Sequence, residues 1–149
     1  MHAHDEPALT GRLTSLDAIK EFLSAGKAVI TLVSLRTAVR YTYKISQSKD
    51  NANMFFVALL SGPDNETDYN YLGFIRNGVY AHGVKSKISA DAGSAIAFSW
   101  FHGRIAAGVL PDNVEVWHEG RCGRCCRKLT VPSSIERGIG PECAGKLGA

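Results

Sequence analysis

At 149 residues, 45% of them apolar, the chain is long enough to bury a proper core as one domain, or as one domain with a small appendix. No stretch reaches the roughly eighteen uninterrupted apolar residues of a membrane-spanning helix, and the opening Met1-His-Ala-His-Asp-Glu-Pro7 lacks the apolar run of a secretory leader, so a soluble chain in a reducing cytoplasm is expected. The 17 Lys and Arg against 14 Asp and Glu leave a formal charge of +3, and residues 1–118 hold eleven of each sign while residues 119–149 hold six basic against three acidic, so the whole excess belongs to the C-terminal segment.

In chain order, Thr14-Ser-Leu-Asp17 caps a predicted helix from Ser15 to Ala25, with Leu16, Ile19, Phe22 and Leu23 on one face and Gly26 after its end. Ala28–Val33 is a β-rich run. Val39–Ile45 alternates strictly, sending Val39, Tyr41, Tyr43 and Ile45 to one side and Arg40, Thr42 and Lys44 to the other. Asn53–Leu60 reads as a buried strand and Ser61–Glu66 as a loop. Tyr69–Ile75 and a shorter Val79–Ala81 flank Asn77-Gly78, a dipeptide suited to a two-residue hairpin. Ser89 would cap a second helix, Ala90–Ala107, with Ile96, Trp100 and Ile105 facing the core and Gly108 after its end. Val114–Trp117 is a short strand leading into the cysteines. These elements predict an α+β fold: a twisted antiparallel sheet with helices packed on one face, covering residues 1–117, and a zinc-binding module, residues 118–149, docked at the sheet edge with Trp117 packing at the junction.

All four cysteines lie in that last segment, as Cys122-Gly-Arg-Cys125, Cys126 and Cys143. A thiolate pair two residues apart with a distant third is how small domains hold zinc, and a structural site needs four donors. Adjacent side chains diverge, so Cys125 and Cys126 are not expected to share one ion. The favoured metal set is His118, Cys122, Cys125 and Cys143, spaced H-x3-C-x2-C-x17-C, with Cys126 as the alternative fourth ligand and one structural Zn2+ per chain. Disulfides belong to secreted chains, and a redox CxxC sits between a strand and a helix of a thioredoxin-like unit, which is missing around this one. Ser133 or Ser134 would start one helical turn that Gly138 ends, and Pro141–Leu147 would form a short helix with Cys143 in its first turn, where free N–H groups favour a thiolate. That order is treble-clef-like.

The run His118-Glu-Gly-Arg-Cys-Gly-Arg-Cys125, then Arg127-Lys-Leu-Thr130, then Pro132-Ser-Ser-Ile-Glu-Arg-Gly-Ile-Gly-Pro-Glu-Cys-Ala144 resembles a C-terminal domain of unknown function common in bacteriophage and prophage proteins. Its pattern is C-x-x-C-G-[RK]-x-L-T-x-P-x-S-I-x-x-G-I-G-P-x-C. This chain departs from it at Cys126, where the family has glycine. The resemblance implies a phage-type protein at work in the cytoplasm of a bacterial host cell, and it carries no established activity.

Basic residues alternate with the ligands: Arg121, Arg124, Arg127 and Lys128. A compact basic zinc module is suited to a nucleic-acid backbone, so binding of nucleic acid or a nucleoprotein complex is the first functional expectation. The alternative is a protein-binding effector that inhibits a bacterial host enzyme or defence complex. Arg40 and Lys44 with Tyr69 and Tyr71 would form a second surface, a stacking platform on the sheet. For catalysis there is no nucleophile elbow, phosphate loop or His-Glu-x-x-His motif. The acidic loop Asp64-Asn-Glu-Thr-Asp68 is read as a turn that could hold a divalent cation. No catalytic residue is assigned.

Overall fold

The computed structural model describes residues 11–62, 68–127, 129, 135 and 137–140. Among them the chain runs β1 (Gly11–Leu13), α1 (Leu16–Leu23), β2 (Lys27–Ser34), β3 (Arg40–Gln47), β4 (Met54–Leu60), β5 (Tyr69–Arg76), β6 (Val79–His82), α2 (Gly93–Ala106) and β7 (Val114–His118). The strands form a single antiparallel sheet in the order β1-β7-β2-β3-β4-β5-β6, so the last strand enters between the first two. This is an α+β architecture.

Local chemistry accounts for most of the element boundaries. The Ser15 hydroxyl accepts from the Ala18 N–H at 3.1 Å and starts α1, while Gly26 takes φ +122° just beyond its end. Asn77 and Gly78 both adopt positive φ, 51° and 81°, the geometry that joins Arg76 to Val79 in a tight hairpin. Gly108 closes α2 in the left-handed region. The β1 strand carries no periodic signal over its three residues and exists through its pairing with β7.

Both helices pack against one face of the sheet. Tyr43, Ile45, Ile30, Val57 and Leu72 project into the core with Ile19 and Phe22 of α1 and with Phe98 and Phe101 of α2. Tyr43 is wholly buried, stacks near Phe98 at 4.8 Å between centroids, and donates its hydroxyl to the Ser94 carbonyl at 2.7 Å. On the opposite face the paired Thr31 and Thr42 are also buried and share a hydrogen bond of 2.7 Å.

Four expectations need correction. The second helix begins at Gly93, not Ala90, because the Ser89 hydroxyl and carbonyl accept from Asp91 and Ala92 in a separate turn. Its buried face is Ser94, Ala95, Phe98, Phe101, His102 and Ile105, so Ile96 (56% exposed) and Trp100 (41% exposed) point away from the core. Apolar residues surround this helix, and periodicity alone does not choose the inward side. The junction residue is His118, not Trp117: β7 alternates, with Val116 and His118 facing inward, while Trp117 lies on the other face and donates to Glu115 at 3.1 Å. Because β7 is an interior strand, the cysteine segment leaves from within the sheet and packs under α1, not at a lateral edge.

Candidate metal and nucleic-acid site

Residues 120–129 fold back on themselves. The Cys122 N–H donates to the Arg127 carbonyl at 2.9 Å and the Leu129 N–H to the Gly120 carbonyl at 2.7 Å, giving a small hairpin closed by the Cys126 N–H to Cys122 carbonyl bond at 2.9 Å. Its tip is Cys122-Gly-Arg-Cys125. Cys126, immediately after the second cysteine, stands at φ +65°. That left-handed position favours glycine, so Cys126 is strained there.

The hairpin aims donors at one sulfur. Cys122 is buried, which raises a thiol pKa, yet N–H groups of Gly140, Cys125 and Arg124 and the Cys125 thiol all point to its Sγ and lower the pKa to about 7. The Arg124 N–H lies 3.4 Å from that sulfur. Hydrogen bonds to the charged form favour it, so this is a sulfur prepared to be a thiolate at neutral pH. Burial pushes the Cys126 thiol up instead, against the pull of Lys27 and Arg121, and its Sγ lies 3.9 Å from the Lys27 carbonyl. Cys122, Cys125 and Cys126 are free thiols.

His118 is 1% exposed and has both ring nitrogens engaged: Nδ1 accepts from the Gly120 N–H at 2.9 Å, and Nε2 donates to the Ile135 carbonyl. Those roles fix the neutral Nε2–H tautomer. Burial lowers the His118 pKa, opposed by the Ile135 carbonyl. To join a metal set, the ring would exchange one of these bonds for the ion. Cys143, Lys128 and the expected Pro141–Leu147 helix lie outside the described residues, as do Asp64 and Glu66. Among the described residues no three His, Cys, Asp or Glu side chains converge as a metal cage.

Several residues that seat this segment are absent from any motif. Phe22 of α1 is the floor: its ring centroid is 5.7 Å from that of His118, and a Cβ at Gly123 or Gly138 would come within 2.7 or 2.6 Å of its ring. Gly11 is required in the same way, since a Cβ there would strike the His118 ring and meet the Ile135 carbonyl at 2.8 Å. The Gly123 carbonyl accepts from the Lys27 N–H at 2.7 Å and its N–H donates to the Gly138 carbonyl at 2.9 Å, tying knuckle, β2 and residue 138 together. Arg137 forms a two-pronged ion pair with Glu21 of α1, both contacts at 2.5 Å. Residues 135 and 137 are helical and Gly138 follows at φ +79°, in keeping with a turn ended by that glycine.

Of the expected basic residues, Arg121 and Arg127 are exposed and Arg124 is half-buried beside Cys125. Arg121 donates to the Cys126 carbonyl at 3.2 Å. On the sheet, Lys44 Nζ sits 4.5 Å from the Tyr69 ring centroid, and Tyr71 lies against Phe56. Tyr69 and Tyr71 are both half-buried, and the face of Tyr69 is covered by Lys44.

A family model, described as a family of unknown function (DUF6011), matches residues 115–148. No curated protein and no solved structure matches this chain. The match coincides with β7 and the whole cysteine segment. Among the described residues no helix is long and apolar enough to cross a membrane.

Proposed function

We propose that residues 118–149 form a structural zinc module and that the chain acts by binding nucleic acid or a nucleoprotein complex through it. The observation that carries the proposal is the convergence of backbone N–H groups on the buried Cys122 sulfur, which holds its pKa near 7 although burial acts the other way. A closed hairpin that stabilises a thiolate, with the Cys125 sulfur beside it, suits a metal of zinc's thiolate preference. Cys122, Cys125 and Cys143 would supply three thiolates, with His118 or Cys126 as the fourth donor. Four protein ligands leave no position for a substrate water, so the metal would hold the fold and not perform chemistry. Arg121, Arg124 and Arg127, whose hairpin is fixed against α1 and β2, then serve as phosphate contacts, and the proposal adds Lys128 to them. The phage-type assignment and a place in a bacterial host cytoplasm belong to the same proposal and rest on the resemblance of the segment.

The test is the metal content of protein purified without added metal, for wild type, Cys122→Ser, Cys126→Ser and His118→Gln. Equimolar zinc in the wild type, lost with Cys122→Ser, supports the module, and retention in only one of the other two variants assigns the fourth donor. Metal-free protein with freely titrating thiols would sink it.

A second reading, capture of a host protein, draws on a different surface. Trp100, Ile96, Val39 and Leu35 are exposed apolar side chains around one end of α2 and the β2–β3 turn. A cleft of about 240 Å³ between Val39, Tyr41, Ala97 and Trp100 opens there. Salt-tolerant binding of a protein, lost on Trp100→Glu, would favour this reading.

A further inference from the structure

Lys27, Lys49 and Arg124 come from three separate parts of the sequence and line one groove. Its walls are the α1–β2 junction (Ala25, Gly26, Lys27), the β3–β4 turn (Gln47 to Asp50, and Ala52) and the knuckle (Arg124, Cys125), and its volume is about 830 Å³. We infer that this groove is the seat of the nucleic-acid backbone, so that Lys27 and Lys49, outside the cysteine segment, are phosphate-contacting residues together with the knuckle arginines. The inference rests on the nucleic-acid reading above and extends it to a particular surface.

Three observations carry it. First, cations outnumber acids in the groove, whose lining includes Lys27, Lys49 and Arg124 and a single carboxylate, Asp50. A cleft lined by like charges focuses its field and concentrates polyanions. Among the described residues neither Lys27 nor Lys49 is ion-paired with a carboxylate.

Second, the walls are locked before any ligand arrives. The Lys27 N–H donates to the knuckle's Gly123 carbonyl at 2.7 Å, and the Gln47 N–H to the Gly26 carbonyl at 2.9 Å. Gln47 Nε2 donates to the Ala52 carbonyl at 3.0 Å, and the turn is braced internally by Ser48 N–H to the Met54 carbonyl at 2.8 Å and Asp50 N–H to Ser48 Oγ at 3.2 Å. A surface already ordered gives up little conformational entropy on binding.

Third, the groove is continuous with the proposed site. Arg124 and Cys125 of the knuckle line it, and the Lys27 backbone in its opposite wall is bonded to the knuckle's Gly123 carbonyl. The backbone of a single strand fits this surface better than a small metabolite does: the lining consists of Lys27, Lys49, Arg124, Asp50, Gln47 and small residues, with no large apolar side chain to hold a compact ligand.

The experiment is fluorescence anisotropy of a short labelled single-stranded DNA against the full chain, over a salt series, for wild type, Lys27→Gln, Lys49→Gln and, as a charge control, Lys85→Gln. Lys85 is exposed beyond β6, at the opposite side of the sheet. Each groove variant is expected to bind about fivefold more weakly at low salt and to lower the slope of log K against log salt by about 0.7, the share of one phosphate contact on a single strand. Lys85→Gln should match the wild type. Salt-dependent binding that is untouched by both groove variants but lost on reversing Arg121 and Arg127 overturns the groove and leaves nucleic-acid binding through the knuckle arginines standing. Wild type that ignores DNA overturns both, and a wild type that ignores DNA but captures poly-glutamate through these lysines would mark the groove as a site for acidic polypeptide instead.

Discussion

The sheet with its two helices and the cysteine segment are held together by different means. In the first, interior strands pair on both sides and large side chains such as Tyr43, Phe98 and Leu72 are sealed between sheet and helix. In the second, the described residues 119–140 contribute only Cys122, Leu129 and Ile139 to the buried core, and their order depends on turns, on N–H groups aimed at sulfur, on an ion pair and on a floor provided by α1. One region makes its own interior, and the other borrows one. The segment should therefore be the first to open and the more sensitive to loss of a local staple, and the proposed metal would add to what these described residues bury.

Phe22 is the side chain that belongs to both regions, and its removal should abolish the difference between them. It is 1% exposed and touches the knuckle glycine, Gly138 and His118 as well as the main core. Phe22→Ala is expected to cost about 3–5 kcal/mol, the range for emptying a buried aromatic site. Urea unfolding followed by tryptophan fluorescence measures it. A loss below about 1 kcal/mol would mean that segment and body do not share a core.

The Thr31–Thr42 pair tests the body alone. Thr42→Val leaves the Thr31 hydroxyl buried without its partner and is expected to destabilise by about 1–3 kcal/mol, whereas Thr31→Val with Thr42→Val together should be nearly neutral. The segment's amide exchange should change in neither case beyond the shift in global stability. A double variant as unstable as the single one would show that packing on this face, not the hydrogen bond, sets the cost.

What was legible in the sequence follows the same division by range. A helix start at Thr14-Ser15, Gly108 as a stop and Asn77-Gly78 as a hairpin are short-range signals, readable because a few neighbouring dihedrals decide them, although Ser15 is the cap and not the first helical residue, and α1 ends at Leu23 with Ser24 as its cap, short of the expected Ala25. The CxxC knuckle is equally local. The inward face of α2 was not readable, since Ile96 and Trp100 are as apolar as the residues that win the core. Helical periodicity marks Phe22 as a core residue, but its contact with the knuckle, like that of Gly11 with His118 and the proposed role of Lys27 and Lys49, depends on partners far along the chain that nothing in the local sequence shows. His118 lies between these cases: its spacing suggests a ligand, while the bonds that occupy its ring come from Gly120 and a residue beyond the knuckle.

The smallest effect concerns the staple that belongs to the segment. Glu21 accepts two bonds from Arg137, and that hydrogen bonding, ahead of opposing desolvation, holds the Glu21 carboxyl below its usual range. An unfolded chain, lacking the pair, takes up the proton first as the medium is acidified. The contribution is thus complete above the ordinary Glu pKa of about 4.3 and disappears as pH falls through the lower folded value. Both partners are partly exposed, 29% and 34%, so solvent screening limits the pair to about 0.2–1 kcal/mol. Unfolding free energies of wild type and Glu21→Gln, measured from neutral pH to pH about 3, should differ by that amount at the neutral end and converge at the acid end, because every other carboxylate is common to both. Curves that stay parallel throughout would mean that Arg137 holds the segment through packing of its stem and not through charge.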